Sequence, residues 1–255
     1  MDPKIIEKTM LDYFKLKGKT AIVTGAGNGM GRGIAKMFAS LGVNVVGCDI
    51  EKDSVEKVAE EVKAEGGTML GLYCDIRKYE DIHVVIDTAM KEFGTVDILV
   101  NNAACPGGEV PIEELTEEKW MNLMDVDLNA VFRFTTSVLP IMRKNQSGKI
   151  VSISSGAGVT GGLGSNVHYP TAKGGVIAFT KALARQVCKD KINVNCIAPG
   201  LTDTRMANVE EEIVYSLWHR AGTPWDIACS VAFLSSAASD YYTGQVICPN
   251  GGEWM

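Results

Sequence analysis

The chain lacks the marks of several protein classes. Its three histidines, His83, His168 and His219, are scattered and show no metal-ligand spacing. The seven cysteines (Cys48, Cys74, Cys105, Cys188, Cys196, Cys229 and Cys248) form no C-x-x-C pair, are odd in number, and sit mostly in apolar segments such as VVGCDI and NVNCIAP. Free, mostly buried thiols in a reducing compartment are expected, not a disulfide framework or a zinc site. No apolar run approaches the roughly 18 residues of a membrane span. The opening MDPKIIEKTMLDYFKLKGK carries charge in every turn and lacks the apolar centre of a signal peptide. A net charge of −6 offers no basic surplus for nucleic acid or an anionic membrane. These absences predict a cytoplasmic protein with neither kind of partner, and the chain shows no repeat, linker or low-complexity stretch.

What is present is alternation. Apolar, β-branched runs stand at TAIVT (20–24), VNVVGC (43–48), TMLGLY (68–73), VDILV (96–100), KIVSIS (149–154), INVNCIA (192–198) and QVIC (245–248). Between them lie helix-length segments with apolar residues three and four apart, such as Val55, Val58, Ala59, Val62 and Val85, Ile86, Ala89, Met90, Phe93. Near-continuous apolar strands separated by helices predict a parallel sheet covered on both faces. With right-handed crossovers the expectation is an α/β fold: one doubly wound sheet of about seven strands, spanning residues 18–255 as a single domain. Residues 1–17 fall outside the pattern. Ile5, Ile6, Met10, Leu11 and Phe14 could form the stripe of a short helix packed on the domain or on a neighbouring subunit.

The stretch TGAGNGMG (24–31) follows the first strand and opens a helix. Gly25, Gly29 and Gly31 have no Cβ to hold the backbone away from a pyrophosphate, and a helix N-terminus offers that anion free N–H groups and a favourable dipole. The plainer reading is a tight strand–helix turn. Asp49 closes the second strand 18 residues after Gly31, where a carboxylate accepts from both ribose hydroxyls and repels a 2′-phosphate. Asn28 places no cation beside that phosphate. Both features favour NAD over NADP, although Asp49 could equally cap the helix beginning near Glu51.

The pentapeptide YPTAK (169–173) places a tyrosine one helical turn before a lysine, so both share a face. Alone, that spacing could be only the start of an amphipathic helix. Taken with Asp75 in CDIR, NNAA (101–104), ISS (153–155), APG (198–200) followed by Thr204, and TGQ…GG near the end, all in order, the chain from about Lys17 onward resembles the short-chain dehydrogenase/reductase family, in its branch of roughly 250 residues. The resemblance implies a Rossmann fold and hydride transfer between nicotinamide and a secondary alcohol or ketone.

By that resemblance Tyr169 is the general acid/base. A free phenol titrates near pH 10, and the Lys173 ammonium would bring it down while also holding the nicotinamide ribose. Ser155 would bind the substrate oxygen. It is preferred over Ser154 and Ser152 because it alone fits the pattern serine, two residues, Gly158. Gly25, Asn28, Gly29, Met30, Gly31, Asp49, Asn102 and Ala103 would hold the adenosine and phosphates of NAD, with Asp75 and the Ile76 backbone at the adenine edge. The Leu201 backbone and Thr204 would hold the carboxamide. Pairing through helices spanning about 116–144 and 168–188 would give a dimer or tetramer.

Two positions depart from the family. The stretch VDLNAVF (126–132) has Asp127 where the family has asparagine, a residue that kinks its helix and holds a water on the lysine; Asp127 is expected to support the proton relay in its place. Asn129, two positions out of register, should point elsewhere. Ala104 replaces the usual glycine of NNAG.

The segment RMANVEEEIVYSLWHRAG (205–222), Gly156–His168 and Cys105–Val110 are the expected substrate walls, suited to a polyol, sugar or cyclic secondary alcohol, a steroid not being excluded. His168 beside Tyr169 reads more readily as solvated or structural than as catalytic. The competing readings are a non-catalytic NAD-binding regulator and a structural subunit of a hetero-oligomer; an intact Ser155, Tyr169, Lys173 set argues against both.

Overall fold

The computed structural model describes residues 13–162, 164, 166–205 and 213–255. Seven strands form one parallel sheet in the order β3-β2-β1-β4-β5-β6-β7. They are β1 (Thr20–Thr24), β2 (Asn44–Asp49), β3 (Thr68–Tyr73), β4 (Ile98–Asn101), β5 (Gly148–Ile153), β6 (Ile192–Ile197) and β7 (Val246–Ile247). Each expected strand is found: β1 and β3 have the expected bounds, the others differ by one or two residues at an end, and β7 shrinks to two. The order reverses between β1 and β4, the switch point at which a doubly wound sheet opens a crevice beyond its carboxyl ends.

Successive strand residues face opposite ways, and this alternation sorts the helices into two layers. Ala21, Val23, Val45, Val100 and Val151 pack with Phe38 of α1 (Gly29–Ser40), with Val55, Val58 and Val62 of α2 (Lys52–Ala64), and with Ile227 and Val231 further along the chain. Their neighbours Ile22, Val46, Leu99 and Ile150 pack on the other side. There they meet Val85 of α3 (Tyr79–Phe93) together with Phe134, Val138, Leu183 and Val187. Neither face is left to solvent, which is why the strands read as unbroken apolar runs rather than alternating ones.

On that second layer lies the first long helix of the expected pair. It is interrupted: α4 (Glu117–Met124) passes through one π turn, Asp125–Asn129, into α5 (Ala130–Asn145). A short helix α6 (Ala157–Thr160) follows β5, and α7 (His168–Val187) is continuous, with Pro170 harmless in its first turn. Finally α8 (Pro224–Leu234) is started by a capping box in which Thr223 and Asp226 exchange hydrogen bonds. The N-terminal stripe Ile5, Ile6, Met10 and Leu11 lies outside the described residues, while Phe14 and Leu16 pack into the first layer.

All seven cysteines are free. Cys48, Cys74 and Cys196 are buried and Cys105 and Cys248 half-buried, but Cys188 and Cys229 are exposed. Among the described residues no cluster of His, Cys, Asp and Glu could hold a metal, and no helix is long and apolar enough to cross a membrane.

Candidate active site

A cleft of about 430 Å³ opens at the carboxyl ends of β1 to β5. Its first wall is the glycine loop, with Gly25, Asn28, Gly29 and Met30 on its surface. Gly25 and Gly29 adopt left-handed φ of +66° and +50°, a conformation that costs other residues energy. The N-terminus of α1 carries no side-chain cap and no acidic residue in its first turn. Asn28 turns away and donates to Glu51 Oε2 at 3.0 Å. The positive end of the helix dipole is therefore left open towards the cleft, and this arrangement fits an anion.

Gly31 does not line the cleft. Its role is close packing, since a Cβ there would stand 1.9 Å from the Gly25 carbonyl oxygen and 2.5 Å from Asn102 Nδ2. Asn102 is a clamp on this loop: its Nδ2 donates to Thr24 O at 2.9 Å and Gly25 O at 3.2 Å. Both it and Ala103 border the cleft. Gly31→Ala is thus expected to destabilise the fold by about 1–3 kcal/mol and to weaken dinucleotide binding. Thermal melting with and without cofactor checks this, and an unchanged melting curve would show that the loop accommodates the methyl group.

Asp49 stands on the adenosine side with both oxygens already in use as acceptors. Oδ2 takes the Gly27 N–H at 2.9 Å and Oδ1 the Glu51 N–H at 3.0 Å. It does brace the turn into α2, so the capping alternative describes a real contact, yet it also ties that turn to the glycine loop and faces the cleft. Sequence reasoning missed its neighbour Glu51, a second carboxylate on the same rim. Asp75 and Ile76 lie beyond β3. The Asp75 carboxylate is gripped by Arg77, Nε to Oδ1 and Nη2 to Oδ2, both at 2.8 Å. Chiefly through that hydrogen-bonded fork its pKa is lowered to about 2, and it stays ionised at any pH in which the protein would work.

At the inner end of the cleft are Tyr169 and Lys173, on one face of α7 as the spacing predicts. The Lys173 Nζ lies 5.5 Å from the centre of the Tyr169 ring. It also lies 3.1 Å from Asp127 Oδ2, with side-chain exposures of 3% and 0% for the lysine and the aspartate. The other carboxylate oxygen, Oδ1, accepts the Cys105 N–H at 2.9 Å. Burial by itself would lower the lysine's pKa; the Asp127 carboxylate, and after it Tyr169, more than offset that, so it stands above its ordinary value. The π turn delivers this contact. Asn129 points elsewhere and donates to Asp125 Oδ1 at 3.2 Å.

The serines divide by partner. Ser152 Oγ accepts from Asn101 inside the sheet. Ser154 borders the cleft, but its hydroxyl donates to the Lys173 carbonyl at 2.8 Å. Ser155, one residue further and off the cleft wall, accepts the Ala157 N–H at 3.1 Å. His168 is buried, with Nε2 3.1 Å from the Gly107 carbonyl, which makes it a pin for the Cys105–Val110 loop. Thr204 borders the cleft. Leu201 does not: its N–H donates to Glu253 Oε1 at 2.6 Å and its carbonyl accepts from Gly222 at 2.9 Å. The expected carboxamide contact from the Leu201 backbone is therefore already taken by the C-terminal segment. No sequence signal marked Glu253 as that partner.

A family model described as short chain dehydrogenase matches residues 19–213. The chain belongs to the short-chain dehydrogenases. Among relatives of this family, a 3-oxoacyl-[acyl-carrier-protein] reductase from Chlamydia muridarum is 36% identical over 244 residues, which are 93% of this chain and 98% of that protein. One of the same name from Vibrio cholerae is 35% identical over 246 residues, 94% and 99% of the two chains. In three dimensions a short-chain dehydrogenase/reductase from Mycobacterium marinum superposes with a TM-score of 0.92 at 28% identity, covering 96% of this chain and 99% of its own. Levodione reductase superposes with a TM-score of 0.87 at 27% identity, covering 93% and 98%. The protein is therefore an oxidoreductase of a family that works with a nicotinamide cofactor, and the glycine loop and open helix end fit the phosphates of such a dinucleotide.

Proposed function

We propose that the protein interconverts a ketone and a secondary alcohol with NAD(H), using Tyr169 as the proton donor and acceptor. The observation that carries this reading is the shared position of Tyr169 and Lys173 on the inner cleft wall, across from the glycine loop. The nicotinamide, when bound, supplies or accepts the hydride. Tyr169 gives its phenolic proton to the carbonyl oxygen in reduction and takes it from the hydroxyl in oxidation. Lys173 holds the ribose and biases the phenol electrostatically. Ser155 Oγ accepts from a backbone N–H, which leaves its own proton to donate to the substrate oxygen. Asp127 holds Lys173 in place. Thr204 serves the carboxamide side.

NAD is favoured over NADP because two carboxylates, Asp49 and Glu51, stand on the ribose rim, where a 2′-phosphate would be repelled. Asp49→Ser is expected to raise the KM for NAD about tenfold or more, in line with the roughly 1.5–3 kcal/mol of a hydrogen bond to a charged group. It should also narrow the preference against NADP, and kinetics with both cofactors measure it. A wild-type enzyme that prefers NADPH would refute the assignment.

Two apolar side chains stand near the expected substrate walls. The Trp254 indole covers Gly156, next to Ser155, and Leu217 covers Gly252. Residues 206–212 of the expected lid lie outside the described residues. A small ketone is the first substrate class to try, in line with the name levodione reductase on a structural relative. The 3-oxoacyl reductases add an open-chain 3-oxoacyl thioester as the second substrate to try. Cytoplasmic action as a dimer or tetramer completes the proposal. The decisive experiment follows NADH oxidation against a panel of cyclic ketones, polyol-derived ketoses and 3-oxoacyl thioesters. Tight NADH binding with no turnover of any panel member would favour the non-catalytic regulator instead.

A further inference from the structure

The side chain that stands where the family has a neutral asparagine is here an ionised carboxylate sealed against the catalytic lysine. Both of its oxygens face donors: a backbone N–H on Oδ1 and an ammonium on Oδ2. An amide there would have to turn its own N–H₂ towards one of those donors, whereas a carboxylate accepts the N–H on one oxygen and sets its charge 3.1 Å from the ammonium with the other. The pocket is therefore built for aspartate rather than tolerant of it.

The charge count around Tyr169 follows. Asp125, the other acid of the π turn, is paired with Arg133. Cys105, from the loop after β4, and Cys196, from β6, are pushed up by burial to about 11 and about 12, so both are neutral thiols. Serines 154 and 155 on the β5 side are uncharged. On α7 itself His168 is turned to the Gly107 carbonyl through Nε2. Among the described residues the charges enclosed beside the phenol are thus Lys173 and Asp127, and they cancel. A lone ammonium 5.5 Å from the ring would favour the phenolate strongly; a closed ion pair presents a dipole, whose field falls off faster.

We infer that Asp127 is a positioning residue that neutralises Lys173 and so keeps Tyr169 protonated at neutral pH, poising this protein for ketone reduction. In that direction a neutral phenol is the form needed: it would give its proton to the carbonyl oxygen while a bound NADH would supply the hydride to the carbonyl carbon, and solvent would return a proton to the phenolate. Alcohol oxidation needs the phenolate at the outset and is confined to alkaline pH. The inference rests on Tyr169 being the acid/base.

The test compares wild type with Asp127→Asn, Asp127→Ser, Asp127→Glu and Tyr169→Phe, each shown by thermal melting to be folded. Tyrosinate formation is followed by ultraviolet difference titration, and the pH dependence of kcat/KM for alcohol oxidation is measured beside it. Tyr169→Phe identifies the titration step that belongs to Tyr169. In the Asn and Ser variants that step should move down by about one pH unit or more, with oxidation at neutral pH rising about tenfold for each unit. Glu, which keeps the charge, should leave the Tyr169 titration step where wild type has it. If either folded neutral variant leaves both the step and the oxidation profile where they were, the inference is overturned. Loss of turnover in Tyr169→Phe is a separate reading, so failure of the acid/base assignment is recognisable on its own.

Discussion

Tyr169→Phe is expected to lower kcat/KM for ketone reduction by about 10²–10⁴-fold, the usual contribution of a positioned acid or base, while NADH affinity changes by no more than a few fold. The phenol lies on the cleft wall with Lys173 beside it, and the substitution removes one oxygen without altering the ring's packing against Leu123 and Ala172. Stopped-flow reduction and NADH fluorescence titration separate the two quantities. A variant that retained more than a tenth of wild-type turnover would falsify the assignment of the proton to this residue.

Lys173→Met should cost about 3–5 kcal/mol of folding stability, because it leaves the fully enclosed Asp127 carboxylate without its counter-ion. Against a total stability of about 5–15 kcal/mol, that is a large fraction. The double variant Lys173→Met, Asp127→Leu should recover most of the loss, since replacing both members of a buried pair by apolar groups is often close to neutral. It should not recover activity, because the grip on the ribose is gone. Denaturant unfolding of the two single variants and the double measures the coupling. A single-variant loss below about 1 kcal/mol would mean that water reaches the carboxylate.

Much of the active-site chemistry can be read from local spacing. Tyr169 and Lys173 had to share a face wherever the chain formed a helix, and the glycine loop had to follow a strand to be worth anything. Leu201 and Ser155 show the limit. The family pattern marks both residues, but whether the Leu201 N–H is free for a ligand depends on Glu253, 52 residues away. The preference for Ser155 over Ser154 gains its physical reason only when the Ser154 hydroxyl is seen bonded across to the Lys173 carbonyl. His168 is similar: its sequence position beside the tyrosine suggests chemistry, and its burial against Gly107 gives it a structural role.

By itself the sequence determined the strands, the layer arrangement and the shared face of Tyr169 and Lys173, because these depend on hydrophobic periodicity and on residues within one turn of each other. It also showed that position 127 carries an aspartate. That this aspartate would meet Lys173 at 3.1 Å, sealed from water, was decided by tertiary structure alone. The π turn rotates the side chain inward and α7 brings the ammonium to it, and only in that dry enclosure does a single charge weigh enough to set the direction in which a neighbouring phenol works.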